Sequence, residues 1–264
     1  MSDQAILALG HSHLAALRGG WKLLKAEGRP LPEVRFVFLN KPRFQPNFAG
    51  PGARRALSSR LTGALEALLA ERRWKALLLA PLGNECLARF LVADDPPLAL
   101  HDPSIPAPAG AVPVCIETLR CWLREIAARN AGLFLSALRE RTDLPLFLLP
   151  PPPPIASERT IREGKGPLHA ALATARLNPP KLRLAIWELY REVLAELARE
   201  TMTTLLPPPA ATRDRAGFLH PSCTRGDPTH ANARYGACLW SEILRHLSGG
   251  HPEPASPPRM ELST

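Results

Sequence analysis

The sequence predicts an α/β protein, a five-stranded parallel sheet between two layers of helices. Three observations predict it. Short apolar runs recur five times along the chain, and a segment of helical periodicity separates each from the next. The runs are almost free of polar residues, as strands buried on both faces require. Alternation of strand and helix makes consecutive strands parallel, and the flavodoxin-like order 2-1-3-4-5 is a common arrangement for five of them. In such sheets ligands sit beyond the carboxyl ends of the strands, so those ends are where functional residues are sought.

In chain order, residues 5–9 (AILAL) read as the first strand. Residues 13–27 follow as a helix with Leu14, Leu17, Trp21 and Leu24 on one face. Residues 34–40 (VRFVFLN) read as the second strand. Residues 53–73 read as a helix carrying Leu57, Leu61, Leu65, Leu68 and Leu69. The third strand is expected at 76–80 (ALLLA), a long helix at 116–141, and the fourth strand at 144–149 (LPLFLL), which runs into five prolines. A helix over 180–200 has Pro180 in its first turn, where the missing N–H costs nothing. Residues 202–206 read as a fifth, weaker strand and 231–247 as the last helix.

Two connections are long and irregular, 94–114 and 150–179. The first reads as a lid over the strand ends. The single domain is expected over residues 1–248, with 249–264, rich in Gly, Pro and Ser, as a flexible tail.

Composition narrows the partners. The 264 residues include 30 prolines, which explains the long connections, since Pro breaks helix interiors and central strands. The net charge is +9, but the basic residues are interleaved with Leu and Ala on helical patterns instead of forming a stripe. That is the pattern of a solvated helix face, and no nucleic-acid partner is expected. No apolar run reaches the length of a membrane span, so no membrane partner is expected either. Five cysteines with no CxxC pair argue against a disulfide scaffold or a structural zinc. The first residues lack the basic start of a secretion signal, and a cytoplasmic location with reduced thiols is expected. No metal or other cofactor is expected.

The strand ends carry polar residues of particular kinds. Gly10-His11-Ser12-His13 follows the first strand. A serine there faces the positive end of a helix, or it simply caps that helix. Gly83-Asn84-Glu85 follows the third strand. The Asn84 amide can donate to an oxyanion, or it can belong to an ordinary turn. Asp227-Pro228-Thr229-His230 precedes the last helix. The carboxylate can hold imidazole Nδ1–H and leave Nε2 as a base, or Asp227 can cap the helix with His230 at the surface. Jointly, the three places supply nucleophile, oxyanion donor, orienting acid and base on one edge of one sheet.

These residues resemble the blocks of the SGNH (GDSL-type) hydrolase family. Gly10-His11-Ser12 corresponds to its Gly-Asp-Ser block, Gly50 or Gly52 in NFAGPG to its second-block glycine, and Gly83-Asn84 to its Gly-x-Asn block with a shortened spacing. Asp227 and His230 match its Asp-x-x-His. The resemblance implies the family's three-layer fold and a serine esterase or acyltransferase acting on a small-molecule or carbohydrate ester. It implies Ser12, Asp227 and His230 as the triad. The oxyanion hole would be formed by the N–H groups of Ser12 and of Gly50 or Gly52, with the Asn84 amide. His11, His13 and Glu85 are expected to line the substrate site. His11 stands where the family has Asp, and Ser12-His13 is similar to SGNH domains that act on acylated glycans.

Two other readings remain open at this stage. One is a non-catalytic binding or accessory protein on the same fold. The other is a metal-dependent hydrolase using His11 and His13, which requires an eight-stranded barrel. Cys86 reads as a buried thiol, and Trp187 and Tyr190 as core.

Overall fold

β1 (Ala5–Gly10) is buried along its whole length and feeds two cores alternately. Ala5, Leu7 and Leu9 belong to one apolar cluster, Ile6 and Ala8 to the other. That alternation is the signature of a sheet covered on both faces. The computed structural model describes residues 5–80, 84–102, 104–166 and 168–248, without the side chains of Ala53, Asn84 and Glu85. The expected tail at 249–264 lies outside the described residues.

From β1 the chain passes through α1 (Leu14–Ala26), β2 (Val34–Phe38), β3 (Phe48–Ala49), β4 (Ala56–Leu57), α2 (Ser59–Ala70), β5 (Trp74–Ala80) and α3 (Asn84–Arg89). It continues with β6 (Leu98–Leu100), β7 (Val112–Val114), α4 (Ile116–Ala127), α5 (Leu133–Arg139) and β8 (Leu146–Leu148). The last elements are α6 (Glu158–Glu163), α7 (His169–Thr174), α8 (Pro180–Glu200), β9 (Thr204–Leu205) and α9 (Ala233–Leu247). The main sheet has the order β2-β1-β5-β8-β9 with every neighbour parallel. These are the five expected strands in the expected 2-1-3-4-5 order. The open five-stranded sheet excludes the eight-stranded barrel that the His11/His13 metal reading required.

Three departures have physical reasons. The helix expected from residue 53 begins at Ser59, because Ser58 is its N-cap and accepts from Leu61 N at 3.2 Å. Leu57, which fits the helical stripe, instead pairs with Phe48 in the β3–β4 hairpin. The helix expected over 116–141 contains a π turn at Ala128–Gly132 between α4 and α5. The 94–114 connection, expected as a lid, forms the β6–β7 pair and sinks Leu100 and Ile105 into the first core.

The prolines after β8 are buried together with Ile155. Having no N–H, they leave only carbonyls to be satisfied. Trp187 Nε1 donates to Pro151 O at 3.1 Å, and Leu219 N to Pro154 O at 3.0 Å. Buried Arg183 donates to the carbonyls of Ile155, Ala156 and Asn178. Burial pulls its guanidinium down to about 10. Trp187 and Tyr190 are fully buried, as expected of core residues.

α1 and α9 touch backbone to backbone. A Cβ on Gly20 would meet Ala237 N at 2.1 Å, and one on Gly236 would meet Ala16 O at 1.9 Å. Trp240 Nε1 adds a hydrogen bond to Leu17 O at 2.8 Å. Ser12 lies two residues before α1 and His230 three before α9, so this close approach sets their separation.

Candidate active site

Ser12 sits between the end of β1 and the start of α1, and the structure gives it no capping role. The N-cap position is His13, which makes no side-chain cap bond. Gly10, just before, lies flat against β5, where a Cβ would meet Ala80 O at 2.5 Å. The Ser12 hydroxyl is thus delivered at the carboxyl end of β1, an interior strand, and points to His230, with Oγ 2.7 Å from Nε2.

Asp227 is likewise free of capping, because Asn232 caps α9 by accepting from Arg234 N and Tyr235 N. One oxygen of Asp227, Oδ1, gathers three donors: Thr229 N at 3.1 Å, His230 N at 2.9 Å and His230 Nδ1 at 2.8 Å. The turn therefore fixes backbone and imidazole from one point. Burial pushes the Asp227 carboxyl up, but the hydrogen bonds from His230 and Thr229 prevail and hold it below the usual carboxylate range. An ionised carboxylate only accepts, so Nδ1 carries the proton and Nε2 presents its lone pair to the Ser12 hydroxyl. The His13 ring lies against His230, with centroids 4.8 Å apart and planes at 33°.

His11 turns the other way. Its Nε2 is 2.8 Å from Asn47 Oδ1. Asn47 is buried and donates its amide to Leu39 O and Phe44 O, which fixes Oδ1 as the acceptor. Gln45 Nε2 donates to the same oxygen at 3.1 Å. Nε2 of His11 must therefore be the donor. Burial lowers the pKa of His11, with the Asn47 bond opposing, so the ring is neutral near pH 7.

Asn47 was not singled out in the sequence. It opens the loop to the β3–β4 hairpin that carries both candidate glycines, and these differ. Gly50 has φ +82°, and a Cβ there would meet Arg54 O at 2.4 Å. Gly52 has φ +50° but open space around it. Only Gly50 shares a cavity with His11. That cavity has a volume of about 420 Å3 and is also lined by Asn47, Phe48 and Arg55. Arg55 lies over the Phe48 ring at 4.2 Å and donates to Asn130 Oδ1 at 2.9 Å, a residue of the π turn.

A second, larger cavity has a volume of about 970 Å3. It is lined by Asp227, Thr229 and His230 together with Glu163, Lys165 and Arg225, among others. The 150–179 connection thus borders the site through Glu163, Lys165 and Gly166. Asn84 opens α3 after β5, but its side chain and that of Glu85 lie outside the described residues, as does Gly83. Cys86 is buried in the core, and burial pushes its thiol up. Among the described residues no cluster of three or more His, Cys, Asp or Glu is arranged to hold a metal ion.

Neither a protein-family model nor a curated protein matches the sequence. Solved structures do. The periplasmic domain of a lipopolysaccharide acetyltransferase from Salmonella ser. Paratyphi A is similar over 94% of this chain and 84% of its own, at 14% identity and a TM-score of 0.53. An acetyl xylan esterase variant from Geobacillus stearothermophilus matches 96% of this chain and 98% of its own, at 14% identity and a TM-score of 0.46. A GDSL-like lipase from Bacteroides thetaiotaomicron matches 94% and 89%, at 11% identity and a TM-score of 0.45. The fold is of the SGNH-hydrolase type. Among the described residues no helix is long and apolar enough to cross a membrane.

Proposed function

We propose that the protein is a serine-dependent acyl-ester hydrolase or acyltransferase of the SGNH type. The observation that carries this reading is the continuous Ser12–His230–Asp227 relay, with links of 2.7 and 2.8 Å. His230 Nε2 takes the Ser12 hydroxyl proton as Oγ bonds to the ester carbonyl carbon. The resulting oxyanion is held by the N–H groups of Ser12 and Gly50 and by the Asn84 amide. Collapse expels the alcohol, whose oxygen receives the proton from His230. Water, or an acceptor hydroxyl in a transferase, then repeats the sequence on the acyl-enzyme. Asp227 keeps the imidazole in the Nδ1–H tautomer throughout and steadies its charged form.

Gly50 is favoured over Gly52 because it shares the His11 cavity and because its place in the loop admits no side chain. The likeness to an acetyltransferase domain and to acetylesterases is consistent with a small acyl group, acetyl among them, on a glycan or small-molecule ester. Ser12→Ala should lower the hydrolysis of an aryl acetate by about 10⁴- to 10⁶-fold. Mass spectrometry should show a serine-directed phosphonate attached to the wild type and absent from the variant. Turnover that survives Ser12→Ala intact would overturn the reading.

A further inference from the structure

The two cavities, one walled in part by His230 and the other by His11, differ in chemistry as well as in size, and the mechanism assigns them different halves of the substrate. His230 must protonate the departing oxygen, so the alcohol half lies within hydrogen-bond reach of Nε2. His230 is itself part of the wall of the 970 Å3 cavity and is absent from the wall of the 420 Å3 one. The larger cavity therefore receives the alcohol.

Its wall carries four charged side chains, which are not equivalent. Asp227 is engaged with His230, and Glu163 pairs with Arg159 at 2.8 Å. Lys165 and Arg225 are exposed, and neither enters an ion pair among the described residues. Both are rooted on the Asp-x-x-His loop. Arg225 N donates to His230 O at 3.1 Å and Lys165 N to Gly226 O at 2.9 Å. A Cβ on Gly164 would meet Pro228 Cδ at 3.1 Å, and one on Gly166 would meet the Asp227 Cβ at 4.0 Å. Two cations outside any ion pair among the described residues thus line the cavity that His230 borders.

We propose that the alcohol half of the substrate bears an anionic group, a carboxylate or a phosphate, which Lys165 and Arg225 bind. This rests on the esterase or transferase reading above. An Arg guanidinium and a Lys ammonium on adjoining loops suit an acceptor with several oxygens. An acylated hexuronate or an acylated sugar phosphate has that chemistry, and an acylated neutral hexose lacks it.

The test compares acetylated hexose, acetylated hexuronate and acetylated hexose phosphate by kcat/KM, for the wild type and for Lys165→Ala/Arg225→Ala. Two ion pairs at an open site are together worth about a tenfold preference for at least one anionic ester. The carboxylate and phosphate arms show which anion is meant. That preference should shrink toward one in the double variant and also as salt is raised. A wild type that treats the three esters alike, or a preference that the double variant retains, overturns the proposal. If no ester turns over, the esterase reading falls by itself. Calorimetry of hexuronate, hexose phosphate and hexose with Ser12→Ala then decides the groove. Anion-selective binding lost with the two cations supports the proposal; equal binding, or none, overturns it.

Discussion

The two flanks of Ser12 are built on opposite principles. On the His11 side the amides and the imidazole bond one another and the backbone: His11 to Asn47, Asn47 to Leu39 and Phe44, Gln45 to Asn47 and Leu39. That flank is locked by hydrogen bonds, and Arg55, the cation in the wall of the smaller cavity, is itself held over Phe48 and on Asn130. On the His230 side the carboxylate is ionised, the cavity is more than twice as large, and two cations stand exposed. A rigid hydrogen-bonded lattice suits the fixed placement of N–H donors for a developing oxyanion, which gains from needing no reorganisation. An open charged wall suits recognition of a leaving group that must also depart. The two flanks meet at one hydroxyl because β1 delivers it between them.

The largest effect is expected from breaking the charged flank at its root. Asp227→Asn keeps an acceptor for the backbone N–H groups of Thr229 and His230 but removes the charge that selects the Nδ1–H tautomer. Turnover should drop by about 10⁴-fold, with KM changing far less. A loss of only a few-fold in kcat would mean that the imidazole is oriented by something else. On the His11 flank, Gly50→Ala should cost on the order of 10²–10³ in kcat, the loss of one oxyanion donor. The backbone cannot hold φ +82° comfortably with a side chain, and the new Cβ would meet Arg54 O. Gly52→Ala is the matched comparison. It shares the positive φ but has open space, so it should cost stability by about 1 kcal/mol and turnover much less. Equal kcat losses in the two variants would remove the distinction between the glycines.

Much of this arrangement was legible in the sequence, and the reasons for the rest are local. Five apolar runs of strand length gave the sheet, because strands buried on both faces tolerate almost no polar residue. Asp227 and His230 were legible because three residues of spacing suffice to close their bond. Leu57 misled because it fits the helical stripe of α2, although Ser58-Ser59 carried a capping signal that places the start correctly. Asn47 was not legible, since its partner His11 is 36 residues away and only the folded chain brings them together. Lys165 and Arg225 lie in irregular segments, where periodicity says nothing about which surface a side chain joins. The π turn that carries Asn130 leaves no mark in the apolar pattern that distinguishes it from an α-helix.

The smallest effect tests the His11 flank through protons. His11 in the folded chain has a pKa below the ordinary 6.5, because burial disfavours its charged form more than the Asn47 bond favours it. The unfolded chain therefore binds a proton that the native state refuses, in the window from 6.5 down to the folded value. Stability must rise with pH across that window, and its His11 component is complete above about pH 6.5. His11→Gln retains an amide donor for Asn47 Oδ1 and cannot titrate. Urea unfolding of both proteins at intervals from pH 5 to 8 should show their stabilities converging as the pH falls below 6.5, with the wild type losing the more. Subtracting one curve from the other cancels the remaining histidines, which both proteins share. Curves that stay parallel through this range would mean that His11 titrates alike folded and unfolded, and the flank would then be locked by Asn47 and Gln45 without help from a neutral imidazole.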